Sequence, residues 1–120
     1  MSPGGTPTFQ APEVLSKEIG ADGKPAYFPE YAACEISYQS DVYSLGVVMW
    51  CLVMRRYPKC PGSATFLTPA LVPDTQLREL VNSMLEPNPA KRPRASHLVL
   101  KLVSVPTGVV RASIACCQSA

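Results

Sequence analysis

The feature that most limits the fold of this 120-residue chain is an uncharged segment near its centre. Residues 42–54 read VYSLGVVMWCLVM, thirteen positions without an acidic or basic side chain. Ser40 stands before the segment as a helix N-cap, and Arg55-Arg56 follow it where cations favour a helix end. Thirteen residues are too few to cross a bilayer, which takes about 20. The segment therefore predicts a helix surrounded by protein on every side.

Composition narrows the class of protein further. With 11 Lys+Arg against 9 Asp+Glu, the net charge of +2 is too small to indicate binding to nucleic acid or to an anionic membrane. Thirteen prolines separate short elements, and no alternating strand pattern is convincing before residue 106. The chain is expected to be mainly α, and to form one domain or part of one.

Further helices are predicted on both sides of the central one. A short helix starts at Pro12 and is stopped by Gly20, and an Asp22-Gly23 turn follows in the loop 20–39. Asp74 caps a later helix whose apolar positions share one face: Leu77, Leu80, Val81, Met84 and Leu85. A last helix over 95–105 is expected to bury Leu98, Val99, Leu102 and Val103, and residues 106–120 form a tail.

The residue types that carry chemistry form no constellation. His97 is expected to be a solvated helix residue, and no set of His and Cys side chains predicts a metal site. The chain opens without a secretory signal, so its five cysteines are interpreted as reduced thiols of a cytoplasmic protein. The pair Cys116-Cys117 is most simply an inert part of the tail, with palmitoylation or redox chemistry as alternatives. No catalytic, cofactor-binding or metal-binding residue is predicted.

Three segments in order nevertheless resemble a known family. Residues 5–15 read GTPTFQAPEVL, residues 40–50 read SDVYSLGVVMW, and residues 80–99 read LVNSMLEPNPAKRPRASHLV. Together they resemble the carboxy-terminal lobe of eukaryotic-type protein kinases of the serine/threonine type. The resemblance covers about residues 4–103. It implies a partial kinase domain over 1–105, starting inside the activation segment, with an insertion at 20–36 and the tail at 106–120.

The resemblance assigns roles to individual residues. Those that match the substrate-side loop are Gly5, Thr6 and Pro7, and those that match structural positions are Ala11, Pro12, Glu13, Asp41, Gly46 and Arg92. Glu13 is implied to pair with Arg92, because a guanidinium fork grips a carboxylate through two parallel bonds. Asp41 is implied to accept hydrogen bonds from the backbone of the family's catalytic loop, although it could equally be a simple helix-start acid. Thr6 is implied to contact the catalytic aspartate and lysine.

The departures from the family concern its chemistry. Phosphoryl transfer needs a glycine-rich loop, a strand lysine with its glutamate, an H-R-D base and a D-F-G aspartate for magnesium. The 120 residues contain none of these, and no β-rich nucleotide-binding lobe is expected. ATP and magnesium are thus cofactors of the family but not of this chain. Smaller departures are Phe9 in place of Tyr, Tyr43 in place of Trp, and Arg94 in place of a Ser or Thr cap.

Three functions are compatible with this pattern. The first is a kinase-like fragment without activity of its own, a pseudokinase-like lobe that binds a protein partner or the missing kinase portion. The second is part of an active serine/threonine kinase whose amino-terminal portion lies outside these residues. The third is a small helical interaction module. Without the helices that precede A-P-E in the family, one face of the central helix is expected to lack neighbours, and the chain to self-associate or to depend on a partner.

Overall fold

A computed structural model of the chain describes residues 7–67 and 70–104. Its α-helices are α1 (Pro12–Leu15), α2 (Tyr38–Met54), α3 (Thr75–Met84) and α4 (Ala95–Ser104). Between them lie 3₁₀ turns at Pro7–Phe9, Pro29–Tyr31 and Pro89–Lys91 and a wide helical turn at Ser63–Leu67. The described residues contain no strand and only one isolated bridge, between Ile19 and Pro25. The mainly α class is confirmed.

The first helix is shorter than predicted. Pro12 occupies its first position, as expected, but the helix ends at Leu15 rather than near Gly20. The Ser16 hydroxyl donates to the Glu13 carbonyl at 2.8 Å, and the next amides close tighter turns onto carbonyls three residues back. The chain then turns at Asp22-Gly23, where Gly23 adopts a φ of 77° and the Asp22 carboxylate accepts from the Lys24 amide.

The cap of the central helix lies three residues before the predicted one. Ser37 is the N-cap, and its hydroxyl accepts a hydrogen bond from the Gln39 amide. Ser40 lies in the first turn instead, where its hydroxyl accepts from the Ser37 amide at 3.3 Å. The two serines thereby form a reciprocal capping box, which explains why the prediction of Ser40 as the cap was wrong. The helix ends at Met54, and Arg55 closes it in the left-handed conformation.

The core lies between α2 and α3. The predicted apolar face of α3 is confirmed, because all five of its residues are buried. Tyr43, Val47 and Trp50 of α2 belong to the same buried cluster as Leu77 and Val81. Gly46 brings the two helices together: a Cβ atom at this position would lie 2.8 Å from Cβ of Met84.

The central helix α2 is not buried on every side, as its uncharged segment alone predicted, whereas the expectation of one uncovered face is confirmed. Leu45, Val48 and Leu52 are 48%, 43% and 51% exposed, although the opposite face of the same helix forms the core. The described elements that pack on α2 are chiefly α3 and the turns at Pro7–Phe9 and Pro89–Lys91. All of them leave this stripe of α2 uncovered. A helix that is apolar all round is therefore covered on part of its circumference only.

The last helix buries less than predicted. Leu98 packs against Val42, Leu80 and Met84, as expected. Val99 and Leu102, however, are 60% and 40% exposed, so their assignment to the core was wrong. Among residues 95–102 only Leu98 is buried, so α4 contacts the core through its first turn and the following residues face away from it. The side chain of Val103 and the whole tail 106–120 lie outside the described residues. No described helix is long and apolar enough to span a membrane.

Candidate functional site

A buried ion pair joins the two ends of the described chain. The Arg92 guanidinium donates to the Glu13 carboxylate through Nη1–Oε2 at 2.6 Å and Nη2–Oε1 at 2.8 Å. Neither side chain has any solvent exposure. Ser40 donates a third hydrogen bond to Glu13 Oε2 at 2.7 Å. The contact implied by the resemblance is thus present, in the bidentate geometry that a guanidinium favours.

Arg92 uses every hydrogen-bond donor that it has. Besides the two bonds to Glu13, its Nε donates to the Glu86 carbonyl at 2.7 Å, Nη1 to the Gln39 carbonyl at 2.9 Å and Nη2 to the Pro87 carbonyl at 3.1 Å. A guanidinium has five N–H groups, so none is left unsatisfied in the interior. The guanidinium carbon also lies 5.0 Å from the centre of the Tyr43 ring. Arg92 therefore joins α1, the start of α2 and the turn after α3.

The surroundings of Glu13 keep its side chain ionised. Burial by itself would raise the pKa of this carboxyl, but the hydrogen bonds from Arg92 and Ser40, with the charge of Arg92, outweigh burial. The pKa of Glu13 is therefore lowered from its ordinary value. We call Glu13, Ser40 and Arg92 the anchor, because it holds together three separate parts of the chain.

The other residues assigned by resemblance do not converge on a catalytic centre. Gly5 and Thr6 lie outside the described residues, and Pro7 opens the first 3₁₀ turn. Ala11 and Pro12 are buried beside the anchor. Gly46 lies at the α2–α3 contact, on the far side of α2 from its uncovered stripe.

Asp41 occupies a different environment from the anchor. It is exposed in the first turn of α2, and its side chain forms no hydrogen bond or ion pair with the residues that the structure describes. Leu45, Val48 and Leu52 follow it at intervals of four, three and four residues, which places all four on one side of the helix. We call Leu45, Val48 and Leu52 the apolar stripe. Asp41 marks its amino-terminal end.

An open groove lies at the carboxy-terminal end of the apolar stripe. Its volume is about 550 Å³, and its walls are Phe9, Val48, Cys51, Leu52, Arg55, Arg56 and Tyr57. Phe9 and Tyr57 meet edge to face across it, with ring centres 6.4 Å apart. Arg56 lies 5.6 Å from the centre of the Trp50 ring, whereas Arg55 is an exposed cation. An apolar side chain could enter this groove, with a negative group placed near Arg55.

The groove holds no reactive group. Burial raises the pKa of the Cys51 thiol, which keeps it protonated and a weak nucleophile at neutral pH. His97 is exposed in α4, as the sequence predicted, and it does not line the groove. Cys34, Cys51 and Cys60 are free thiols, and Cys116-Cys117 lie outside the described residues. Within residues 7–67 and 70–104, no cluster of His, Cys, Asp or Glu could hold a metal ion.

Sequence reasoning missed two parts of these sites. It placed Ser40 at a helix cap, although this hydroxyl also bonds to Glu13 from 27 residues away. It also did not single out the groove. Two of its walls, Phe9 and Tyr57, are far apart in sequence. The one local signal was the absence of charged side chains over residues 42–54, which gave α2 no charged face for water.

Comparison with known proteins adds no family. No protein-family model, no curated protein and no solved structure matches this chain.

Proposed function

We propose that this chain is a non-catalytic, kinase-like binding lobe, and that the apolar stripe of α2 is its binding surface. The observation that carries the proposal is the exposure of Leu45, Val48 and Leu52 on the same helix that supplies the core. Water-facing apolar side chains in a row, next to an apolar groove, are typical of a surface that a protein covers. The anchor holds the start of α2 in place for such contact.

The motif order and the anchor support the kinase-like part of the proposal. The A-P-E sequence places Glu13 where the resemblance requires it, and the partner expected for it, Arg92, is bonded to it in the interior. This contact bridges 79 positions and depends on a specific pair of residue types. The family transfers phosphate from ATP to serine or threonine of proteins. Because the 120 residues contain none of the motifs that bind nucleotide and magnesium, the lobe alone is inactive.

One observation favours a second candidate. Asp41 is exposed at the end of the apolar stripe, where backbone N–H groups from another segment could reach its carboxylate. The second candidate is therefore the lobe of an active serine/threonine kinase whose nucleotide-binding portion would cover the stripe. A third candidate, a helical interaction module that acts through its tail, rests on residues outside the described part of the chain.

Nucleotide binding tests the proposal directly. Isothermal titration of the 120-residue chain with ATP and magnesium should give no saturable heat, and radiolabelled ATP should leave no phosphate on a generic protein substrate. Saturable binding with phosphate transfer above background would contradict it.

A second experiment tests the binding surface. At low protein concentration, a fluorescent dye that binds apolar surfaces should respond less to Leu52→Lys than to the unchanged chain. Leu100→Lys, which alters an exposed leucine of α4, is the matched control. An equal loss of dye binding in both variants would show that the stripe is not a distinct surface.

A further inference from the structure

The two ends of the apolar stripe carry opposite charges. Asp41 lies before Leu45, and Arg55 follows Leu52 at the end of α2. Both charged residues are exposed, and Arg55 lines the groove together with Val48 and Leu52. From one end to the other, the surface therefore reads negative, apolar, positive. Any occupant of the stripe must present the reverse order of charge to match it.

A second copy of the same helix presents that reverse order when it runs antiparallel. In a twofold pairing centred on Val48, Val48 faces Val48 of the second copy. Every other residue faces the residue of the second copy that lies equally far from Val48 in the opposite direction along the helix. Asp41 then faces Arg55 of the second copy, and Arg55 faces Asp41 of the second copy. Leu45 faces the region of Cys51 and Leu52, which is the wall of the groove. A self-complementary surface of this kind is what a twofold dimer requires.

We propose that the chain forms an antiparallel homodimer through α2, with Asp41 paired to Arg55 of the second copy and Leu45 placed in the groove of the second copy. The proposal deepens the proposed function, because it rests on the apolar stripe being a binding surface and names what binds there. The contact removes Leu45, Val48 and Leu52 of both copies from water. Each groove, which is open in the single chain, receives one leucine side chain, Leu45 of the other copy.

The small size of the contact favours weak association. From Asp41 to Arg55 the helix is about 21 Å long, at about 1.5 Å for each of roughly 14 steps. One helix face of this length buries an area at the low end of specific protein interfaces, so we expect a dissociation constant in the micromolar range. The dimer should therefore be visible by sedimentation equilibrium or light scattering between about 5 and 500 μM, as a mass that rises from 12.9 kDa towards twice that value.

Two charge reversals test the pairing, each alone and both mixed together. Asp41→Arg brings two basic side chains together at each end of the contact, and Arg55→Asp brings two acidic side chains together there. Each variant alone should dimerise at least about tenfold more weakly than the unchanged chain, because like charges then meet at both ends. Mixed in equal amounts, the two variants should form a heterodimer, since every charged contact is then between opposite signs. Arg55→Asp suits its site, because Asp tolerates the left-handed conformation found there.

Matched controls separate this contact from general changes in charge and folding. Glu79→Arg and Lys91→Asp reverse exposed charges elsewhere, and should leave the dissociation constant unchanged. Circular dichroism of each variant should keep the helical signal of the unchanged chain. Val48→Lys, at the twofold centre, should abolish the dimer even in the mixed sample.

Each contrary result overturns the proposal. A chain that stays monomeric up to about 500 μM does not form this dimer. The proposed pairing is also wrong if the mixture of Asp41→Arg and Arg55→Asp does not associate at least about tenfold more tightly than each variant alone. A dimer that both charge reversals leave intact uses another surface. These failures would leave the proposed function standing if the dye still binds the stripe, whereas ATP binding would overturn the proposed function without affecting the dimer.

Discussion

Glu13 and Arg92 are 79 residues apart in sequence, yet their side chains form two parallel hydrogen bonds of 2.6 and 2.8 Å in a site without water access. Closing such a long stretch of chain costs entropy, and removing two charges from water costs more. The structure offsets both costs by giving each polar atom of the pair a partner. The pair therefore behaves as one unit, and its loss can be measured in several independent ways.

Removal of either partner should destabilise the fold strongly. Glu13→Ala and Arg92→Ala should each lower the free energy of unfolding by roughly 3–5 kcal/mol, because each leaves a buried charge without its counterion. The double variant should lose much less than the sum, since the second deletion removes the stranded charge. Urea unfolding of the four proteins gives the coupling energy. Arg94→Ala, an exposed arginine two residues away, should change stability by less than about 0.5 kcal/mol. Additive losses would show that the two side chains act separately.

The shape of the guanidinium should matter as much as its charge. Arg92→Lys keeps the positive charge but has three donors in place of five, and it cannot form two parallel bonds to Glu13. The carbonyls of Glu86 and Pro87 would lose partners that they have now. We expect a loss of at least about 2 kcal/mol, because hydrogen bonds to charged groups contribute about 1.5–3 kcal/mol each. Lys91→Arg, at the exposed neighbouring position, is the control. A variant as stable as the parent would mean that charge alone suffices.

Acid should weaken the fold through Glu13. Its pKa is lower in the folded chain than the ordinary value of 4.5, so the unfolded chain takes up the proton more readily. The stabilising contribution is then fully present above pH 4.5 and is lost as the pH falls through the lower, folded-state pKa. Unfolding by urea at several pH values from neutral downwards should show this fall.

Glu13→Gln should be less stable at neutral pH but should show a shallower fall in acid, because its amide takes up no proton. Glu79→Gln, at an exposed site, should follow the parent curve. If Glu13→Gln and the parent showed the same acid slope, the pKa of Glu13 would have to be unperturbed by folding.

The contact between α2 and α3 should reject even one added methyl group. In Gly46→Ala the new Cβ would lie 2.8 Å from Cβ and 3.4 Å from the carbonyl carbon of Met84, so α3 must move away. Overpacking of this kind costs about 1–3 kcal/mol, which exceeds the roughly 1 kcal/mol that alanine gains over glycine in a helix. We therefore expect a net fall in thermal midpoint. Gln76→Ala, on the exposed side of α3, should not lower it. A raised midpoint in Gly46→Ala would show that the helices are not in tight contact.

Local signals in the sequence predicted the elements whose causes are local. The apolar period of α3 and the cap at Asp74 were both confirmed, because spacing and capping act within one or two turns. The pair of Glu13 and Arg92 could not come from spacing, and was expected only from the resemblance. The choice between Ser37 and Ser40 as cap was beyond the sequence, since both can bond the same helix end and a distant carboxylate decides how Ser40 is used.

Coverage of a face is harder to predict than the face itself. The apolar residues of α2 allow any side of the helix to be buried. Which sides are buried depends on where the other helices and turns pack against it. Leu45 and Val47 are equally apolar in sequence, and only the position of α3 makes one exposed and the other part of the core. The same holds for α4, where Leu98 reaches the core and Val99 does not.

The hydrogen bond from Ser40 to Glu13 also closes the intervening residues into a loop of their own. Both ends of this loop are fixed at one point, 2.7 Å apart, while much of its length is exposed. The entropy of closing a flexible loop depends only logarithmically on its length, so doubling the loop costs about 0.6 kcal/mol. Length in this region is thus nearly neutral for stability, and chain could be added or removed between Asp22 and Glu35 over evolutionary time while the helices on either side keep their relative positions.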